Sequence, residues 1–126
     1  MSEKTIADKM YLKNAKSLVV LNGAVHPAAV SQLPGPLIEA AQGDGGADVV
    51  LLFALSRAEL DQWFPQALQR LGEKGSLWIA YLKQSAPKAT DLTRDIISDY
   101  AKERGTTGVA MISVDADWSA LRLKRL

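Results

Sequence analysis

The residues best suited to hold or react with a ligand come directly after apolar segments of this chain. Lys83 and Ser85 follow the apolar run 77–82, and Thr90 and Asp91 come a few positions later. A lysine and a hydroxyl near the start of a helix can hold an anion, because the N–H groups of the first turn point toward it. The alternative is structural: Thr90 or Asp91 caps the helix, and Lys83 pairs with a nearby aspartate. Asp91 disfavours an anion, because its carboxylate would already occupy the positive helix end.

A second candidate group follows the first apolar segment, 18–21. Asn22, Gly23 and His26 stand there, and Ser56 follows the next long apolar run, so we expect it in the same cleft. The group is either the remnant of a ligand loop or a turn in which Asn and Gly tolerate a positive φ. One glycine does not allow the repeated close approaches that a pyrophosphate loop needs. His26 is the only histidine, and a lone histidine is more often a cap or surface residue than a base.

Two carboxylates at i and i+2, Asp115 and Asp117, come before Trp118 and Ser119. They are either a general acid–base pair or ordinary turn residues, since aspartates in turns commonly bond to the backbone. We expect no metal site, because no second carboxylate or histidine cluster accompanies them. Trp118 is a candidate for packing over a sheet edge or at a subunit contact.

Composition bounds the classes of function. The chain has 126 residues, 15 basic and 14 acidic side chains, a net charge of +1 and no cysteine. The length predicts one domain over 1–126, with 1–16 as an N-terminal arm. The balanced charge gives no reason to expect nucleic acid or an anionic membrane as a partner. Disulfides and thiolate sites are excluded. No apolar run is long enough for a signal or a span, so we expect a cytoplasmic location.

Hydrophobic patterning predicts an α/β fold. Helices are expected from Pro27, over 57–71 and from Thr90 or Asp91, and six segments read as strands: 17–21, 37–40, 49–55, 76–82, 108–114 and 118–124. Alternating strands and helices favour a mostly parallel sheet between helices, built from right-handed crossovers. The three-residue link before Trp118 predicts a hairpin and an antiparallel last strand. With the six strands numbered in chain order, their expected spatial order in the sheet is 2-1-3-4-6-5. The alternative is a flavodoxin-like open sheet.

Three fragments carry a resemblance to a known family. They are LWIAYLKQS at 77–85, TDLTRD at 90–95 and VDADWSALR at 114–122. They resemble an uncharacterised family of small bacterial domains with W-P-K-x-S, T-D-L-x-x-D and V-D-x-x-W-S-x-L-[KR] motifs. This chain departs from that family at Leu82, where proline is common. The resemblance covers most of 11–125 and implies a Rossmann-like domain with no assigned activity.

A more distant resemblance is to S-adenosylmethionine-dependent methyltransferases. LGEKGSL at 71–77 is similar to their L-x-P-G-G-x-L, and DVVL at 48–51 is similar to their D-[VI]-[VI] strand. At 21–26, where that family has E/D-x-G-x-G, this chain reads LNGAVH. The departure implies a degenerate methyltransferase-like domain without a cofactor or methyl transfer, acting as an interaction or regulatory module, with a homodimer as the expected assembly. The alternative is a small-molecule binder or enzyme that takes a nucleotide or S-adenosylmethionine at the strand carboxyl ends.

Overall fold

The computed structural model describes residues 5–10, 12–40, 46–84, 86 and 91–126. They form an α/β structure around one five-stranded sheet with the spatial order β1-β2-β3-β5-β4. The strands are β1 (Leu18–Leu21), β2 (Ala47–Phe53), β3 (Leu71–Leu82), β4 (Thr106–Ser113) and β5 (Trp118–Arg125). Strands β1, β2 and β3 are parallel, and β5 is antiparallel to both of its neighbours. The predicted antiparallel last strand and the relative order of these five strands are confirmed.

The helices are α1 (Ile6–Lys9), α2 (Pro27–Val30), α3 (Gly35–Ala40), α4 (Arg57–Arg70) and α5 (Arg94–Lys102), with 3₁₀ turns at Leu12–Asn14 and Gly23–Val25. The expected arm 1–16 therefore includes a helix in its described part. Helix α1 begins with a capping box between Thr5 and Asp8. Its Ile6, together with Met10 and Leu12 beyond it, is buried against the sheet. The described residues of this segment are thus a packed part of the fold.

The predicted strand 37–40 is wrong, because this segment belongs to α3. Pro34 and Pro36 cluster at the start of that helix, where a missing N–H costs nothing, and the amide of Leu37 donates to Pro34 O. Leu37 and Ile38 pack against the core. In the described residues the sheet therefore has five strands, and β1 lies at one edge of it.

The two faces of the sheet are covered by different helices. Helices α2 and α3 pack on the face that carries Leu51 and Phe53, whereas α4 and α5 pack on the face that carries Val50 and Leu52. In the sheet, β2 lies beside β1 and β3 lies beside β2 on the far side, so both connections cross the sheet in the same direction. The helices of the first connection, however, lie on the opposite face from the helix of the second. The two connections therefore differ in hand, so the expectation of uniformly right-handed crossovers is wrong for one of them.

Helix α4 is the longest helix of the described residues, and it packs into the core. Its Leu60, Phe64 and Ala67 are fully buried, and burying each large apolar side chain stabilises the fold by about 1.5–3 kcal/mol. Pro65 lies within the helix without ending it. In the described part of the chain, none of the helices combines the length and the apolar character that crossing a membrane requires.

Candidate functional site

Polar and aromatic side chains gather at one edge of the sheet, where the parallel strands end. The carboxyl ends of β1, β2 and β3 lie there because the three strands are parallel. Trp118, the first residue of antiparallel β5, pairs with Leu82, the last residue of β3. The loop after β1 and the β4–β5 hairpin are thereby brought to the same edge. Open α/β sheets usually bind ligands at this edge.

A half-buried carboxylate lies between the ends of β1 and β2. Asn22, directly after β1, donates from Nδ2 to Phe53 O at 2.9 Å and to Glu59 Oε1 at 2.8 Å. The amide of Leu55 also donates to Glu59 Oε1, at 3.0 Å. Ser56 accepts from the Glu59 amide and caps α4. Among the described residues, the hydrogen bonds to this carboxylate use Oε1, so Glu59 presents an oriented acceptor at the sheet edge.

The turn after β1 packs closely against side chains of β1 and α2. Asn22 has a φ of 57°, a left-handed conformation that asparagine tolerates better than most residues. A Cβ at Gly23 would stand 2.9 Å from Val30 Cγ2 and 3.0 Å from Val20 Cγ1. The space that a side chain at position 23 would need is thus occupied by Val20 and Val30. The turn has no cradle of successive glycines, so a dinucleotide pyrophosphate is not a suitable ligand here.

His26 joins this loop to the distant β4–β5 hairpin. Its Nε2 lies 2.7 Å from Asp115 Oδ2, and its ring stacks on Trp118 with centroids 5.0 Å apart. Phe53 meets both rings edge-on. Burial by itself would raise the pKa of Asp115, but hydrogen bonds from His26 and from the amides of Asp117 and Trp118 lower it overall. Sequence analysis named these residues separately, and the fold brings them into contact.

Lys83, directly after β3, contacts β4 and the β4–β5 hairpin. Its Nζ donates to Ser113 Oγ at 2.8 Å, and its amide donates to Asp117 O. Lys9 of α1 donates to Ser113 O. The expected pairing of Lys83 with a neighbouring aspartate is therefore replaced by contacts to β4 and the hairpin.

The helix start at Thr90 or Asp91 is also corrected. Helix α5 begins at Arg94, and Thr93 Oγ1 accepts from the Ile96 amide. Asp91 instead accepts from the amide of Arg57 at 3.0 Å and so occupies the start of α4. Ser85 and Thr90 lie outside the described residues. Two residues of the first candidate group are therefore described, and they contact different elements. Lys83 contacts β4 and the hairpin, whereas Asp91 contacts the start of α4.

A shallow depression of about 320 Å³ lies beside Lys83 on the α5 side of the edge. Its lining combines two cations, a carboxylate and three hydroxyl side chains with Gln84 and Met111: Lys83, Arg94, Asp95, Tyr81, Thr93 and Ser119. Tyr81 Oη donates to Met111 Sδ at 3.3 Å. Burial raises the pKa of Tyr81. Ser119, predicted at the hairpin, thus faces a different region from Trp118, because successive strand residues point to opposite faces.

Sequence analysis missed Glu59 and Ser113 as site residues. The S-x-x-E spacing of Ser56 and Glu59 is a helix-start signal, and the cap from Ser56 is present. Glu59, however, bonds to Leu55 and Asn22 rather than back to the cap amide. The sequence signal for Glu59 was a carboxylate four residues after the predicted buried strand 49–55.

No protein-family model and no curated protein matches the sequence. Solved structures do match its fold. A ribosomal protein L11 methylase from Lactobacillus delbrueckii subsp. bulgaricus has a TM-score of 0.57 and 14% identity, over 94% of this chain and 73% of that one. The glycopeptide N-methyltransferase MtfA with S-adenosyl-L-methionine has a TM-score of 0.61 and 9% identity, over 95% and 92%. A DhpI–SAH complex has a TM-score of 0.57 and 8% identity, over 94% and 82%. The chain therefore has the methyltransferase-like Rossmann fold.

The expectation that the chain takes no cofactor is corrected by these comparisons. Structures with this fold hold S-adenosyl-L-methionine, sinefungin or SAH. S-adenosylmethionine contains no phosphate, so its binding does not need the pyrophosphate cradle of a dinucleotide site. At 21–26 the chain still departs from the E/D-x-G-x-G of the methyltransferases. Glu59 fits such a ligand as an acceptor for hydroxyl or ammonium donors.

Proposed function

We propose that this chain binds a sulfonium nucleoside of the S-adenosylmethionine type at the carboxyl end of its sheet and uses it for methyl transfer. The observation that carries the proposal is the Glu59 carboxylate, held at the ends of β1 and β2 by Asn22 Nδ2 and the Leu55 amide. An acceptor fixed by two donors is preorganised, so little side-chain entropy is lost when a ligand binds.

The carboxylate of Glu59 supports a cationic ligand. Asn22 donates both to Glu59 and to the carbonyl of Phe53. The ring of Phe53 contacts His26, which pairs with Asp115. Glu59 would accept from ribose hydroxyls or the amino-acid ammonium of the ligand. When bound, the ligand supplies an electrophilic methyl group, and the protein mainly has to hold donor and acceptor in line.

Calorimetry and thermal unfolding with S-adenosylmethionine and S-adenosylhomocysteine test the proposal. Ligand at 100 times its dissociation constant should raise the unfolding free energy by about 2.7 kcal/mol. Glu59→Gln keeps an oxygen for Asn22 and Leu55 but removes the charge, so we expect binding to weaken about tenfold to a hundredfold. Glu73→Gln makes the same chemical change at an exposed position near the start of β3 and should leave affinity unchanged. Absence of binding to the unaltered chain contradicts the proposal.

A second candidate function is self-association through β4. This strand lies at the other edge of the sheet, and its Val109 and Met111 side chains are 44% and 48% exposed. Exposed apolar side chains on an edge strand favour pairing with another chain. Light scattering should report a dimer mass for the unaltered chain and a monomer mass for Val109→Lys. A monomer at high concentration of the unaltered chain contradicts this candidate.

A further inference from the structure

A row of hydroxyl side chains crosses three strands of the sheet beside the start of α5. Ser119 of β5 pairs with Tyr81 of β3 on one side and with Ser113 of β4 on the other. Residues that stand directly opposite each other in antiparallel strands point to the same face, so the three side chains are neighbours. Tyr81 and Ser119 of this row line the depression of about 320 Å³ described above.

Ser119 carries a hydroxyl without a partner. The residue is only 7% exposed, and in the described part of the chain its side chain makes no hydrogen bond. The hydroxyl is not among the described polar atoms that the protein encloses completely, so it opens into the depression that Ser119 lines. Because buried polar groups are nearly always hydrogen-bonded, this hydroxyl points to a ligand that accepts its proton.

The ammonium of Lys83 lies beside this hydroxyl. Lys83 lines the depression, and its Nζ donates to Ser113 Oγ at 2.8 Å, next to Ser119 in the sheet. No carboxylate is within ion-pair distance of Lys83 among the residues that the structure describes. An ammonium has three donors, so the bond to Ser113 fixes its position and leaves donors for a negatively charged ligand.

Arg94 brings a second cation to the depression from the first turn of α5. Burial raises the pKa of the Tyr81 hydroxyl, while the charge of Arg94 lowers it and that of Asp95 raises it, so both charges act on this surface. Arg94 and Asp95 are 3.6 Å apart, with side chains 60% and 84% exposed, and such a pair contributes little. Two cations and one carboxylate thus leave one positive charge in excess.

The same depression has an apolar side. Met111 lines it and is 48% exposed, and its Sδ accepts from Tyr81 Oη at 3.3 Å. Gln84 Nε2 donates to Leu92 O at 3.1 Å, which ties the end of β3 to the segment before α5 and holds the walls together. A thioether beside an aromatic ring suits an apolar group.

We propose that this depression binds a small organic carboxylate, whose charged group contacts Lys83, Arg94 and the hydroxyl of Ser119 and whose apolar part lies against Met111 and the Tyr81 ring. One negative charge matches the excess positive charge, and a planar guanidinium matches the two oxygens of a carboxylate. The volume is at the lower end of the range for small-molecule sites, so the ligand is compact.

The site goes beyond the methyl transfer proposed above and does not depend on it. The hydrogen bonds that orient Glu59 come from Asn22 and the Leu55 amide, and neither of these residues lines the depression. Occupancy of the depression is therefore measured separately from binding of S-adenosylmethionine.

The first experiment is a nuclear magnetic resonance titration of the full chain at constant ionic strength. The probes are benzoate, acetate, benzamide and inorganic phosphate. Benzamide keeps the ring of benzoate without its charge, and acetate keeps the charge without the ring. We expect saturable shifts at the amides of Lys83, Arg94 and Ser119, with benzoate bound more tightly than acetate and no response to benzamide. Absence of binding by both carboxylates, equal binding of benzamide, or tighter binding of phosphate overturns the proposal.

The second experiment repeats the benzoate titration on variants. Ser119→Ala removes a hydroxyl that has no partner in the described chain, so stability should not fall, while benzoate binding should weaken about tenfold. Arg94→Gln removes an exposed charge and should weaken binding by a similar factor. Lys102→Gln removes a charge from the other end of α5 and is the control, with unchanged affinity. Thermal unfolding verifies that each variant folds. Unchanged affinity in Ser119→Ala or in Arg94→Gln, or equal weakening in Lys102→Gln, overturns the proposal.

Discussion

The side-chain amide of Asn22 donates to Glu59 Oε1 across 2.8 Å, although the two residues stand 37 positions apart in the chain. The same Nδ2 also donates to Phe53 O. One asparagine in a left-handed conformation therefore ties the end of β1 to the end of β2 and to the first turn of α4. The orientation of the proposed ligand-binding carboxylate depends on this tie.

Asn22→Asp should lower the free energy of unfolding by about 1–3 kcal/mol. The change removes the Asn22 donor from Phe53 O and from Glu59 Oε1, which keeps the Leu55 amide, and it places a second carboxylate beside Glu59. Asn22→Gly loses the same bonds without adding charge and suits the positive φ, so its loss in urea unfolding should be smaller. Equal losses in the two variants would argue against the electrostatic part of this account.

Acid should weaken the unaltered chain more than Asp115→Asn. The folded-state pKa of Asp115 is lowered, so the unfolded state binds more protons in acid and stability rises with pH there. The contribution is present above the ordinary carboxyl pKa of about 3.9 and is lost as pH falls through the lower folded value. The measurement is thermal unfolding on descending pH. Asp117→Asn, in the same hairpin, is the control and should retain the acid sensitivity of the unaltered chain.

Gly23→Ala should destabilise the fold by about 1–3 kcal/mol. The new Cβ would stand 2.9 Å from Val30 Cγ2 and 3.0 Å from Val20 Cγ1, so side chains under the turn must move. Gly35→Ala is the matched control, because nothing lies within 4 Å of its Cβ position and alanine is the better helix former. Chemical denaturation should separate the two variants; comparable stability would show that the turn after β1 accommodates a side chain.

Thr93→Ala should cost about 1 kcal/mol, the usual effect of removing a helix N-cap. Thr93 Oγ1 accepts from the Ile96 amide at 3.2 Å. Thr90→Ala is the comparison, since the sequence interpretation placed the cap at Thr90 or Asp91. Differential scanning calorimetry should show the larger decrease in melting temperature for Thr93→Ala. The reverse order would support the original placement of the helix start.

Local sequence was sufficient to predict the elements in which apolar residues form one continuous run or one regular repeat. The runs 49–53 and 77–82 contain only apolar residues, and short apolar runs of this kind are typical of strands covered on both faces. Leu60 and Phe64 repeat at helical spacing and are buried in α4. The three-residue link before Trp118 allowed only a hairpin. These features follow from backbone periodicity and loop length, which act over a few residues.

Competing local signals were decided by packing. Leu37 and Ile38 are as compatible with a strand as with a helix, and their contacts with the core accompany the helix. Thr90, Asp91 and Thr93 all read as caps, but Asp91 bonds to Arg57 of α4, 34 residues away. The candidate site has the same origin: His26 and Asp115 are separated by 89 positions. The sequence determined which residue types stand at strand ends, whereas only the pairing of the strands decided which of them touch, because contacts between distant segments depend on sheet order and not on any local pattern.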